Sequence, residues 1–300
     1  MKRTFTYLLL LLLLLTGSYF IHADTSVYRG PIVYTGTIVY ESGGSAKLLK
    51  TGQTTQYSSE LDDGYYQKGI AKSYTVLTTG QFADTVNIDL THLVSDTGAF
   101  IGATQTYTDV GKCGVFKAAG GETIVITGSV SNNGTFTTAS ATANTVVVTA
   151  GFVNEADAPE ITFKKREAHS NNCVLDNNTG LMWSIYVSYK MGTGGDGKMP
   201  WTGVAYDIFA YCAAANVALL GGYGDWRIGG FNACFSLITW EAPGCSIDST
   251  AFPGDMTQNI WTSTTTPQTV ANAIQFYGSS GGIAYTVKTT AGYCLLVRGG

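Results

Sequence analysis

The chain has 300 residues, 45% hydrophobic and 13% charged, with 37 glycines and only 6 prolines. That apolar content builds a core and excludes wholesale disorder, while abundant Gly, Thr and Ser with short β-branched runs point to a loop-rich β protein and away from a helical bundle. A net charge of −4 argues against a nucleic-acid or polyanion partner.

At the start, Met1, Lys2 and Arg3, the Leu-rich run through Leu15 and the stretch from Thr16 to Ala23 have the basic, apolar and small-residue zones of a secretory leader. Residues 1–23 are therefore expected to be removed, with no membrane attachment afterwards, because no later stretch approaches the about 20 apolar residues a span needs. From 24 to 167 the chain reads as short strands broken by turns: 32–40, 86–90, 123–127, 134–140, 145–149 and 160–164, material for a β-sandwich or small barrel. Asn132, Asn133 and Gly134 mark a hairpin turn, since Asn and Gly tolerate the positive φ of tight turns. Lys164, Lys165, Arg166 and Glu167 read as a solvated boundary. Beyond it lie all five tryptophans (Trp183, Trp201, Trp226, Trp240, Trp261) and five of the six cysteines. One helix stands out there. Thr202 is placed to cap it, Val204, Ile208, Cys212, Ala215 and Leu219 share a face, and Gly221 and Gly222 stop it. Closing strands are expected from Trp261 onward and over 273–276, 283–287 and 294–297. The spacing of the six cysteines suggests one local loop, between Cys234 and Cys245, and leaves the remaining connectivity open.

Several motifs in this half occur together: DNNTGLMW at 176–183, Tyr211–Cys212 near the helix end, GGYGDWRI at 221–228, SLI at 236–238, WTSTT at 261–265 and LVRGG at 296–300. In this order they resemble the Lcl C-terminal domain family, named after a bacterial collagen-like adhesin. TGQTTQY (51–57) and DDGYYQKG (62–69) look like a segment that often precedes that domain, and residues 122–148 are similar to a small β module of phage tail-associated proteins. The resemblance implies a mainly β protein with some α. Residues 24–80 would be an N-terminal β segment, 81–167 an inserted β module, and 168–300 a C-type-lectin-like α+β domain that folds on its own. It also implies a Cys212–Cys294 disulfide, which with Cys234–Cys245 leaves Cys113 and Cys173 as a third pair across the boundary. Departures fall at Gly229 and Gly230, where the family usually has Pro-Asn, at Ala233 in place of an acidic residue, and at Cys294, two positions before the family's last cysteine.

The candidate site follows from chemistry and loop length. After the leader only His92 and His169 remain, neither at metal-ligand spacing from another His or Cys, so histidine catalysis and zinc are not expected. Trp183, Trp226 and Trp261 are assigned to the core, with Arg227 buried against a carboxylate or carbonyls. Asp62 with Asp63, and Asp248 with Asp255, lack the alternating acidic spacing of a calcium loop, so no cofactor is expected. GTGGDG (192–197) has no following Lys-Ser/Thr and reads as a flexible loop, and the threonines from 262 to 266 have no neighbouring base. The irregular segment from Trp240 to Asn259 is the expected ligand loop, with Trp240, Glu241, Asn272, Gln275, Tyr277 and Tyr285 as recognition residues. From Ser170 on, acidic side chains outnumber basic ones, so stacking and neutral hydrogen bonding with little salt dependence are expected. The reading is a secreted or cell-surface, non-enzymatic protein that binds a surface glycan or protein. A subunit of an extracellular filament or phage-like appendage, self-associating, is the rival, and a formylglycine-generating enzyme of the same fold is disfavoured.

Overall fold

A computed structural model describes residues 50, 70–78, 85–156, 160–185, 188, 191–192, 196–240, 244, 246–253 and 255–299. The leader, the 32–40 strand, the 51–57 and 62–69 motifs, Glu241 and Cys245 lie outside the described residues.

The first half gives β1 (Tyr74–Leu77), β2 (Thr85–Ser95), β3 (Ala99–Ile101), β4 (Thr106–Thr108), β5 (Thr123–Thr127), β6 (Gly134–Ala141), β7 (Thr145–Val148) and β8 (Ile161–Ser170). The second half gives β9 (Cys173–Asp176), β10 (Met182–Ser184), β11 (Met199–Pro200), helix α1 (Ile208–Val217), β12 (Arg227–Ile228), helix α2 (Phe231–Ser236), β13 (Asn259–Thr265), β14 (Asn272–Tyr277), β15 (Ile283–Val287), β16 (Ala291–Cys294) and β17 (Leu296–Arg298). The fold is mainly β with some α, as the residue pattern implies. Three sheets form, in the orders β2-β8-β5-β6-β7-β4-β3, β1-β9-β10-β17-β12 and β11-β16-β13-β14-β15.

The seven strands form one hydrogen-bonded sheet that folds over on itself, since Phe100 of β3 at one end of the order stacks at 6.2 Å on Phe163 of β8 near the other. Alternation explains its strands: in β5, Ile124 and Ile126 turn inward while Thr123, Val125 and Thr127 turn outward. The inward set meets Phe100, Tyr107, Phe116 and Phe163 in one core, with Tyr107 and Phe163 ring centroids 4.6 Å apart. Chain entry and exit are joined, because β2 and β8 pair antiparallel from Thr85↔Ser170 to Ser95↔Ile161. The run 164–167 is therefore no solvated boundary. It lies inside β8, where Lys165 is 0% exposed, forms a 2.6 Å ion pair with Glu122 and donates to the Gly192 carbonyl at 2.8 Å. Arg166 is held by Asp89 through two 2.7 Å bonds.

The C-terminal sheets borrow from before that module. β1 pairs with β9, Tyr74 and Leu77 pack on the C-terminal cores, and Ile88 and Leu90 of β2 share a core with Cys173, Tyr211, Trp226 and Trp261. The expectation that 168–300 owns its core is corrected by these contacts. The helix also starts later than expected. Asp207, not Thr202, caps α1 by accepting from the Phe209 and Ala210 N–H groups. Ile208, Cys212 and Ala215 are buried, whereas Val204 and Leu219 are exposed. At its end Gly221 takes φ +61°, and a Cβ there would lie 2.5 Å from Cys173 Sγ, so conformation and close approach both demand glycine.

The disulfide expectations are also corrected: Cys113, Cys173, Cys212, Cys234 and Cys294 are buried free thiols. Cys113 sits in the seven-stranded sheet's core and Cys173 in another, which explains why they do not meet. Cys212 and Cys294 share a core, but the Cys212 thiol donates to the Trp226 carbonyl at 3.2 Å. Burial pushes its pKa up to about 11 and that of Cys234 to about 12.

Candidate functional site

Helix α2 divides its residues by side. Cys234 and the following Leu237 and Ile238 point into a core with Ile260 and Phe276, while Phe231 and Phe235, one turn apart, lie together on the outer side with centroids 5.3 Å apart. The Thr264 hydroxyl accepts from the Phe231 N–H, fixing the helix start on β13. Trp240, half-exposed at 50%, extends the row edge-on to Phe235 at 6.0 Å.

The row continues onto the sheet. The turn joining β14 to β15 closes against Trp240, since a Cβ on Gly281 would lie 3.6 Å from Trp240 Cζ3. From there Ile283, Tyr285 and Val287 occupy alternate positions of β15, opposite Phe276, Ile274 and Asn272, and so on the same side of the sheet as α2. All three are exposed, Tyr285 at 60%. Phe235, Trp240, Ile283, Tyr285 and Val287 thus make an aromatic and aliphatic face with Asn272 at its far end. Aromatic rings of this kind stack on sugar C–H faces or fill partner pockets.

The expected recognition set is divided by this geometry. Trp240, Tyr285 and Asn272 lie on the face. Gln275 does not: it is 2% exposed, opposite Trp261, with its amide nitrogen buried and unbonded. Tyr277 shares the Gln275 side of β14, because residues two apart on a strand point the same way. Phe235, Ile283 and Val287 were missed. The Phe231/Phe235 spacing and the 283, 285, 287 alternation were the available signals, but alternation says nothing about which side is covered.

The other candidates resolve as scaffold. Trp183, Trp226 and Trp261 are buried, whereas Arg227 is exposed and donates to the Gly299 carbonyl at 2.9 Å, which corrects the buried-arginine expectation. The buried position beside it is filled by Ile228 instead, since β12 alternates. Asp225 pairs with Arg298, whose guanidinium lies 3.7 Å over the Tyr223 ring and holds the Asp225 carboxyl below its usual range. Asp248 and Asp255 each accept from nearby groups in their own turns. Hydroxyls of Thr262 and Thr266 donate to backbone carbonyls. Among the described residues no group of three or more His, Cys, Asp or Glu could hold a metal.

Fold and face define a mainly β protein whose C-terminal α+β unit displays an aromatic surface. Part of that unit matches a known family: residues 172–298, under half of the chain, match the sequence model of the Lcl C-terminal domain, beginning just after β8 ends. Compared with curated proteins and with solved structures, the chain matches none. No helix among the described residues is long and apolar enough to cross a membrane.

Proposed function

We propose that the chain is a secreted, non-enzymatic surface protein whose Lcl C-terminal domain recognises a glycan or protein ligand on the face around Trp240 and Tyr285, without metal or cofactor. The carrying observation is the exposed row Phe235–Trp240 continuing onto Ile283, Tyr285 and Val287. Monomeric proteins seldom leave such side chains together in water unless a partner covers them. Phe235, Trp240, Ile283, Tyr285 and Val287 are all uncharged, which supports recognition by stacking and neutral hydrogen bonds.

A glycan-array and cell-surface screen with the full chain supplies the ligand for the test. Trp240→Ala and Tyr285→Ala are each expected to weaken binding about tenfold or more, while Tyr277→Ala leaves it unchanged. Raising the salt from low to high ionic strength is expected to change affinity little. Binding that survives both aromatic substitutions, or falls steeply with salt, overturns the assignment.

A further inference from the structure

β15 is the last strand in the sheet β11-β16-β13-β14-β15, with β14 on one side of it. Its hydrogen-bond phase is fixed at both ends: the Tyr277 N–H donates to the Gly282 carbonyl at 2.8 Å, and the Lys288 N–H to the Ala271 carbonyl at 2.9 Å. Antiparallel ladders bond at every second pair, so the register gives the β14 bonds to Ala284 and Thr286. Ile283, Tyr285 and Val287 therefore turn their N–H and C=O groups away from β14. The Val287 carbonyl accepts from the Thr290 N–H in the following turn, and no other hydrogen bond among the described residues reaches these outward groups.

Edge strands are ordinarily guarded against pairing by a charge, a proline, a bulge or a covering element. β15 has none of these. Its sequence Ile-Ala-Tyr-Thr-Val is uncharged and rich in strand-forming residues, its register with β14 is unbroken, and Ile283, Tyr285 and Val287 are 44%, 60% and 50% exposed. The strand is also close to symmetric about Tyr285. Turned end for end, it sets Ile283 opposite Val287 and Tyr285 opposite itself. The nearest charge, Lys288, then falls opposite Gly282, so no like charges meet. A second copy of the chain fits this edge in hydrogen-bond phase, side-chain size and charge.

We propose that two copies of the chain pair through β15, antiparallel about a two-fold axis at Tyr285, so that one sheet runs across both. The axis stands perpendicular to the sheet, which puts Tyr285 beside the partner's Tyr285 and joins the two aromatic faces on one side. Such a contact uses the same strand on both copies and closes at the dimer, unlike the contact of a filament. Self-association is read without ligand, so this assignment and that of the ligand face can fail separately.

Sedimentation equilibrium of the full chain is expected to show a monomer–dimer equilibrium. Tyr285→Lys sets two ammonium groups against each other at the axis and is expected to weaken the dimer about tenfold or more, with the unfolding midpoint unchanged. Ile283→Lys and Val287→Glu each weaken it, but the double variant brings opposite charges together twice and is expected to pair more tightly than either single one. Hydrogen exchange at the 283, 285 and 287 amides is expected to slow as concentration rises, while 284 and 286, already bonded to β14, change little. A chain that stays monomeric at about 300 μM overturns the proposal. Association indifferent to Tyr285→Lys, such as one through the Leu-rich N-terminal run, overturns it too, as does a double variant no better than the single ones. A monomer whose outward amides are protected only by an added valine–threonine peptide also overturns it, and gives the edge to a different polypeptide.

Discussion

Gly229 stands where a side chain has no room. A Cβ there would lie 2.7 Å from Cys234 Sγ and 3.2 Å from Trp183 Cζ3, which explains a glycine at a position where the family usually has proline. Gly229→Ala is expected to destabilise the protein by about 1–3 kcal/mol in urea unfolding, while Gly230→Ala, with its nearest neighbour 3.7 Å away, stays near neutral. His92 is a second residue whose surroundings decide its behaviour. Its ring stacks on Tyr206 at 4.9 Å, and its two nitrogens face the Leu90 and Met191 carbonyls at 2.8 and 2.9 Å. A neutral imidazole has one N–H, so it donates to one carbonyl and sets a bare nitrogen against the other. Burial, and then the Lys165 charge, still hold its pKa down to about 4, and burial does the same for His169. Below the ordinary histidine pKa the unfolded chain takes up protons that the native protein refuses. Stability is therefore full above about pH 6.5 and falls as the pH drops toward 4, by up to about 3 kcal/mol per histidine. Urea midpoints at pH 7.5 and 5 check this, and a midpoint that does not fall, or one whose fall is the same in His92→Leu, would contradict it.

Among the elements, β8 shows how misleading a charge run can be. Four consecutive charged residues suggest solvent, yet strand alternation sends Lys165 inward while Lys164 and Arg166 stay on the outer side. Lys165 then ties β8 to Glu122 and to Gly192, so one ammonium links the seven-stranded sheet to a loop of the C-terminal half. Lys165→Met leaves a buried carboxylate without its counter-charge and is expected to cost about 3–5 kcal/mol. Adding Glu122→Gln removes that charge and should recover part of the loss. A double variant no more stable than the single one in the same urea titration would show that the pair is not the cause. Helix α1 illustrates the converse: its buried positions were legible from three- and four-residue steps, but its start was not. Asp207 outcompetes Thr202 as the cap because only Asp207 immediately precedes the hydrogen-bonded turns.

For the whole molecule, the consequential feature is the contribution of β1 and β2 to the C-terminal cores across the inserted strands. A 168–300 fragment lacks β1, Ile88 and Leu90, and is expected to unfold without a cooperative transition, whereas a 70–300 fragment unfolds cooperatively. Two-state unfolding of the shorter piece, followed by circular dichroism, would falsify this account. The mainly β class, most strands between 123 and 148, the closing strands after 259 and the family motifs were legible in the amino-acid sequence, because each depends on alternation or local turn chemistry. Trp240 and Tyr285 were legible as exposed side chains, with Asn272 half-buried on the same side, whereas Gln275, at an odd spacing from Asn272, and Tyr277 point to the other side of β14. Only the tertiary structure decided that Lys165 is buried, that Arg227 is not, that the described cysteines are unpaired, and that Ile283 and Val287 remain in solvent. Local pattern says which residues of a strand point the same way; which of the two sides becomes core depends on what distant segments bring to cover it.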